Sequence, residues 1–277
     1  MVYGIIGMIN FAHGDVYMIA AYLTAITLAV MTAFGLSNPW LMFLVLVAVV
    51  VMLTAVYGLA IERVAYKPLR GSGRLSPLIS AIGMSLILQN FVQLSQGARN
   101  QGIPTLIPGG ITLEIGAGTV GVTYVQMMIV GVSLVAMGLL SYFISKTKLG
   151  RACRATEQDL KMAAVLGVDT GRVISTVFMI GASMAAVAGV LVSLNYGSFD
   201  FYIGFVTGIK AFTAAVLGGI GSLPGAMLGG ILLGLCESMF SGFVNADYKD
   251  VFAFMVLVLI LIFKPSGILG RPEVEKV

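Results

Sequence analysis

Four stretches of this chain, Val16–Ile61, Leu75–Ala98, Ile115–Ser145 and Val173–Phe199, contain no Asp, Glu, Lys or Arg. A water-soluble fold has no use for such runs, because charged surface is what keeps it in water. A bilayer does: its core is about 30 Å of hydrocarbon, spanned by roughly 20 apolar residues at ~1.5 Å each. Charge collects between the runs instead. Thirteen of the 16 Lys and Arg residues lie in three patches, Arg63–Arg74, Lys146–Arg172 and the tail from Lys264. Only 10% of residues are charged and 58% are hydrophobic, against a soluble norm of about 25% charged; the mean hydropathy is +1.01. The expected fold class is all-α, a polytopic transmembrane helix bundle forming a single domain over residues 1–277.

Apolar length and punctuation predict helices over about Val16–Gly35, Leu41–Ile61, Ser76–Leu94, Tyr124–Ile144 and Ile174–Leu194. A Gly-rich region follows, with a short helix Thr207–Gly218, a longer one Gly225–Phe243, and then Val251–Phe263. About eight membrane segments result, Thr207–Gly218 being short enough to re-enter rather than span. Asn38-Pro39 separates the first two, because proline lacks an amide donor and disfavours helix in the residue before it. The positive-inside rule puts the three basic patches, and with them the C-terminus, in the cytoplasm. Ser37–Trp40, Gln96–Thr123, Asn195–Phe205 and Asn245–Asp250 then face outside, with Arg99 and Lys249 as their only basic residues. The net charge of +4 is thus a topology signal and not a nucleic-acid surface. Cys153 and Cys236 lack metal-site or CxxC spacing and read as packing thiols. The N-terminus has no basic region followed by a cleavage site, so no removable signal peptide is expected.

Small residues recur four apart at Gly181/Ala185/Gly189, Gly204/Gly208, Gly225/Gly229 and Gly230/Gly234. In lipid, close backbone approach at such positions supplies much of helix packing; surfaces this smooth would also slide during a transport cycle. The 146–172 loop is long for a turn between membrane helices. Its centre, Gly150–Gly167, predicts one short amphipathic helix, with Leu160, Ala163, Ala164 and Gly167 on a weakly apolar face. Arg154, Glu157 and Lys161 are spaced to support it by pairing, and Gly167 is placed to end it. Such an element either lies on anionic headgroups or docks into a cytosolic partner.

Several segments resemble the permease subunit of bacterial branched-chain amino-acid ABC importers. They are Asn10-Phe-Ala-His-Gly-Asp15, Ile61-Glu-Arg-Val-Ala-Tyr-Lys-Pro-Leu-Arg70, Ile79-Ser-Ala-Ile-Gly-Met84, Gly150–Gly167, Ala211–Gly225 and the ending Gly267–Val277. The resemblance covers almost the whole chain in order. It implies a pore of two permeases, the second a paralogue, with two ATP-binding cassette subunits below and a periplasmic amino-acid-binding protein delivering Leu, Ile or Val. It also implies that loop 146–172 holds the coupling helix that docks into the ATPase, a role falling on Arg151, Arg154, Glu157, Asp159, Ala163 and Gly167. Family members carry about one further helix upstream of the position matching Val2-Tyr3-Gly4, which this chain is expected to lack. The resemblance places the chain in the bacterial inner membrane, multi-pass.

No G-x-x-x-x-G-K-[ST] occurs, so ATP must be handled by another polypeptide; Gly218–Gly225 reads as a membrane turn. Intramembrane ionisable residues normally mark pathways or relays. Asp15 and His13 fall at a helix start, where an acid suits the helix N-terminus. Lys210 opens a short helix near the outer side and can snorkel to headgroups. Glu237 lies deepest and is the candidate for the translocation path. No catalytic, cofactor-binding or metal-ligating set is present, so a non-enzymatic transport subunit is expected. The alternatives are an ion-coupled secondary amino-acid transporter or channel, working through residues such as Glu237, and a purely structural membrane scaffold.

Overall fold

The computed structural model describes residues 10–70, 72–73, 75–115 and 118–270, excepting the side chains of 113–120. The expectation of a missing upstream helix before Val2 and the basic residues Arg74, Arg271 and Lys276 lie outside the described residues. Ten helices occur among those described: α1 Ala12–Ala33, α2 Pro39–Ile61, α3 Leu75–Gln96, α4 Tyr124–Lys146, α5 Lys148–Gln158, α6 Leu160–Val165, α7 Thr170–Tyr196, α8 Ile203–Gly218, α9 Leu223–Phe243 and α10 Lys249–Phe263. Six of them, α1, α2, α3, α4, α7 and α9, are long and apolar enough to cross a membrane. At 16 and 15 residues, α8 and α10 reach only about 24 and 22 Å. The expected count of eight segments therefore corresponds to six full-length spans and two shorter helices.

Local chemistry sets the ends. Asn38 accepts bonds from the amides of Trp40 and Leu41 at 3.1 and 3.3 Å, and Pro39 occupies the first turn, where its missing N–H costs nothing. Thr123 and Gln126 form a reciprocal capping box at the start of α4. Gly197, at φ +67°, closes α7 in the left-handed conformation. Past Ile61, α2 continues as a π-helical turn, Glu62–Tyr66, and a 3₁₀ turn, Lys67–Leu69.

The bundle is built around α1, which packs on α2, α3, α7 and α8. Glycine makes the closest contacts possible. A Cβ on Gly14 would lie 2.2 Å from the carbonyl oxygen of Gly204, and one on Gly189 would lie 2.8 Å from that of Tyr17. The Gly204/Gly208 and Ala185/Gly189 spacings thus face α1. Gly225 and Gly229 press on α8, and Gly230 faces Ala214 more loosely at 3.9 Å, whereas Gly234 meets nothing within 4 Å among the described residues. A second, smaller core of Ala214, Leu233 and Ala253 joins α8, α9 and α10. At the rim, α4 has no buried residue.

Two short antiparallel strand pairs join the helices of this otherwise all-α bundle. β1 Gln101–Gly102 pairs antiparallel with β4 Ser198–Phe199, and β2 Gly110–Ile115 pairs with β3 Gly118–Thr123. The first pair ties the α3–α4 connection to the α7–α8 connection, so both lie at one end of the bundle. At the opposite end, Glu62 pairs with Arg70 and accepts a 3.0 Å bond from Ser175 Oγ, bringing the first two basic patches together. The Gly218–Gly225 turn, with Gly219 and Gly221 at φ +105° and +90°, is filled by the chain itself: the amides of Ile268 and Leu269 donate to Leu217 and Gly218 at 2.9 Å.

Candidate functional site

The loop after α4 is held at each corner by a side-chain cap. Thr147 ends α4 and starts α5: its hydroxyl donates to the Phe143 carbonyl at 2.6 Å and accepts from the Gly150 amide at 3.0 Å. Gly150 must be glycine, since a Cβ would lie 2.3 Å from the Ile144 carbonyl oxygen. Arg154 donates to the same Ile144 carbonyl, placing a cation at the negative end of the α4 dipole. The inner face of α5 is Gly150, Cys153 and Thr156, all buried, while Arg151, Arg154 and Glu157 stand exposed. Burial also pushes the Cys153 thiol up from its ordinary pKa.

The single amphipathic helix expected here is two helices. Asp159 adopts an extended conformation (φ −156°, ψ 107°) and caps α6, its Oδ1 accepting from the amides of Lys161 and Met162 at 2.9 Å. The break interrupts the expected Arg154–Glu157–Lys161 ladder at its second step, because Glu157 and Lys161 are no longer on one helix. Gly167 does end α6 as expected: at φ +84° it lets Val168 bond back to Ala163 at 3.0 Å. Asp169 then caps α7 through the Arg172 amide at 3.0 Å.

This wiring turns the apolar face inside out. Ala163 is buried, but Leu160 (43%), Met162 (56%), Val165 (80%) and Leu166 (75%) are exposed on a loop that also carries six Lys and Arg residues. Met162, Val165 and Leu166 are candidate site residues that sequence reasoning missed. The available signal was Asp159 standing ahead of a short apolar run, a helix-start pattern. An exposed apolar knob beside the charged surface of α5 has the composition of a protein contact.

Glu237 lies elsewhere. It and Asp250 both pair with Lys210, linking α8, α9 and α10 through one ammonium group. Lys210 is therefore not a free snorkelling residue. Asp15 sits in the first turn of α1, as expected, but does not cap it. It is fully buried, and its Oδ1 accepts from Gln89 Nε2 on α3 at 3.0 Å.

Six apolar spans, a capped polar loop and an ion cluster joining three helices are the make-up of an integral membrane protein. A model of the family described as branched-chain amino acid transport system / permease component matches residues 1–261. The chain belongs to that family, whose members are transport parts of ABC importers rather than catalysts and work with ATPase and other subunits. It is 54% identical to the high-affinity branched-chain amino acid transport system permease protein BraD of Pseudomonas aeruginosa, covering 100% of this chain and 91% of that one. It is 51% identical to the LivH permease of the same description from Escherichia coli K12, over 100% and 90% of the two chains. A probable branched-chain amino acid transport permease of Methanocaldococcus jannaschii is 26% identical over 94% of this chain and 82% of its own. No solved structure matches.

Proposed function

We propose that this chain is the membrane-spanning permease subunit of a bacterial inner-membrane ABC importer that moves Leu, Ile and Val from periplasm to cytoplasm. Residues 146–172 and the C-terminus face the cytoplasm, and ATP is hydrolysed on two separate cassette subunits. A second, paralogous permease completes the pore, and a periplasmic binding protein supplies the amino acid. The carrying observation is the exposed apolar knob of α6 on a loop capped at Thr147, Asp159 and Asp169. A rigid handle with an apolar tip can transmit movement from a motor into α4 and α7; a loop lying in solvent needs neither rigidity nor apolar tip. In this reading Asp159, Ala163, Arg154 and Gly167 shape the handle, while Arg151 and Glu157 rim the contact. The branched-chain amino acid specificity named for the relatives at 54% and 51% identity supports the substrate class. Glu237 takes part through its pairing with Lys210.

Arg154→Glu or Val165→Glu should abolish leucine uptake by the reconstituted complex and weaken retention of the ATPase subunit, with the permease still reaching the membrane. Uptake that persists in vesicles without any ATPase subunit and collapses with the ion gradient would instead establish an ion-coupled carrier.

A further inference from the structure

Where α2 leaves its apolar stretch and the α6–α7 connection returns, the fold leaves a cleft of about 490 Å³. Arg63, Lys67, Arg70 and Arg172 line it, with Leu59 and Met179 at its apolar side. The nearby acids are already committed. Glu62, fully buried, pairs with Arg70, and Asp169 pairs with Arg172 at 2.9 Å. Arg63 and Lys67 have no acidic partner among the described residues. Two cations are thus unmatched in a cleft that also receives the positive end of the α7 dipole through Gly171. A Cβ at Gly171 would approach Arg70 Nη1 to 3.6 Å.

The stripe leading into the cleft identifies the occupant. Met52, Val56, Leu59, Arg63 and Lys67 follow at helical spacing along α2 and its π-helical extension, a distortion that often accompanies functional sites. Met52 and Val56 are 70% and 60% exposed, so an apolar track for a hydrocarbon chain runs directly into the unmatched charges. A soluble anion would need the charges alone, and a cytosolic protein would not reach up the track toward Met52. The pairing of track and cations fits an amphiphile with a negatively charged head. We propose that this cleft binds an anionic phospholipid, its phosphate held by Arg63 and Lys67 and one acyl chain lying along Val56 and Met52. The site is separate from the α6 knob, and the proposal does not depend on how that knob is used.

Native mass spectrometry of the delipidated full-length chain tests it, with phosphatidylglycerol and phosphatidylcholine as probes. Phosphatidylglycerol should be retained in preference. Each Lys or Arg near such a lipid strengthens attachment about fivefold, so Arg63→Gln/Lys67→Gln should weaken it about twenty-five-fold. Arg63→Lys/Lys67→Arg, which keeps both charges, should restore retention and guard against misfolding. Arg99→Gln/Lys249→Gln, with the same loss of charge at the other end of the bundle, should change it less than about twofold. Equal retention of the two lipids, or equal losses in the two neutralised variants, would overturn the proposal. So would unchanged lipid retention with loss of the ATPase subunit, which would make the cleft a protein contact.

Discussion

Lys210 is the only cation in α8, and Lys210→Met separates a structural ion cluster from a pathway residue. Methionine keeps the length of the aliphatic stem and removes the ammonium group that joins three helices. Losing one member of a fully buried ion pair costs about 3–5 kcal/mol, whereas an exposed pair is worth about 0–1 kcal/mol. The Lys210 and Glu237 side chains are 21% and 18% exposed, and Asp250 is 41% exposed. The Glu237 contact is therefore worth about 2–3 kcal/mol and the Asp250 contact, screened by solvent, less than about 1 kcal/mol. Lys210→Met should destabilise the chain by about 3 kcal/mol. Glu237→Gln leaves Lys210 with Asp250 and an amide oxygen, so its cost should be about 1–2 kcal/mol.

The double variant decides the matter. Once Lys210 is gone, an ionised Glu237 is the liability, so Glu237→Gln in that background should cost nothing or restore stability. The double variant should be more stable than the sum of the single effects by about 1–2 kcal/mol, a coupling read from denaturant unfolding of the purified chain in detergent. Leucine uptake by the reconstituted complex should fall in parallel with stability. Additive effects within about 0.5 kcal/mol would refute the clamp. Loss of uptake in Glu237→Gln at unchanged stability would put Glu237 in the translocation path.

Gly14→Leu should destabilise the bundle by well over 1 kcal/mol and prevent accumulation in the membrane, since its Cβ alone would lie 2.2 Å from the Gly204 carbonyl oxygen; Gly234→Leu, with open space around it, should accumulate normally on a blot of membrane fractions. Asp159→Ala removes the cap shared by the Lys161 and Met162 amides, worth about 1 kcal/mol, and should lower uptake while leaving expression intact; Asp159→Asn, which keeps an acceptor, should retain most uptake. Cys153 is 4% exposed and its thiol is pushed up by burial, so impermeant maleimide should label it only slowly even from the cytoplasmic side, faster as pH rises, and not from outside; a cysteine introduced at Met162 should react readily, from the cytoplasmic side only.

Why some of this was readable in the sequence and some was not follows from the range of the forces. Helix positions came through because they rest on neighbours in the chain: Asn38-Pro39 and the edges of the uncharged runs each act within one turn. Gly167 was legible for the same reason. The β2–β3 ribbon also had a local signal, the alternation Ile111-Thr-Leu-Glu-Ile115, but charge counting passes over period-two patterns. Asp159 lost to a competing regularity, the three- and four-residue spacing of Arg154, Glu157 and Lys161, which one extended residue cancels. The Lys210 cluster had no local signal at all, because Glu237 is 27 residues away and meets it only through the small core of α8, α9 and α10.

The glycines connect the two kinds of information. Gly204 and Gly208 mark a face by spacing alone, but their partner, Gly14, stands by itself near the start of α1, with no repeat to advertise it. That crossing joins the main core to the α8–α10 unit with almost no side chain between the backbones, while the Lys210 cluster stiffens that unit internally. Two bodies, each held by its own core and touching along glycine, can move against each other without repacking large side chains. In an importer driven from the α5–α6 handle, movement of the α1–α7 body would then be taken up at Gly14, and a bulky residue there should block transport even in variants stable enough to reach the membrane. Gly208→Ala supplies that case: its Cβ would sit 3.1 Å from Gly14 Cα, tight but tolerable with a small adjustment. It should accumulate near wild-type levels and import leucine several-fold more slowly; uptake at the wild-type rate would place the moving joint elsewhere.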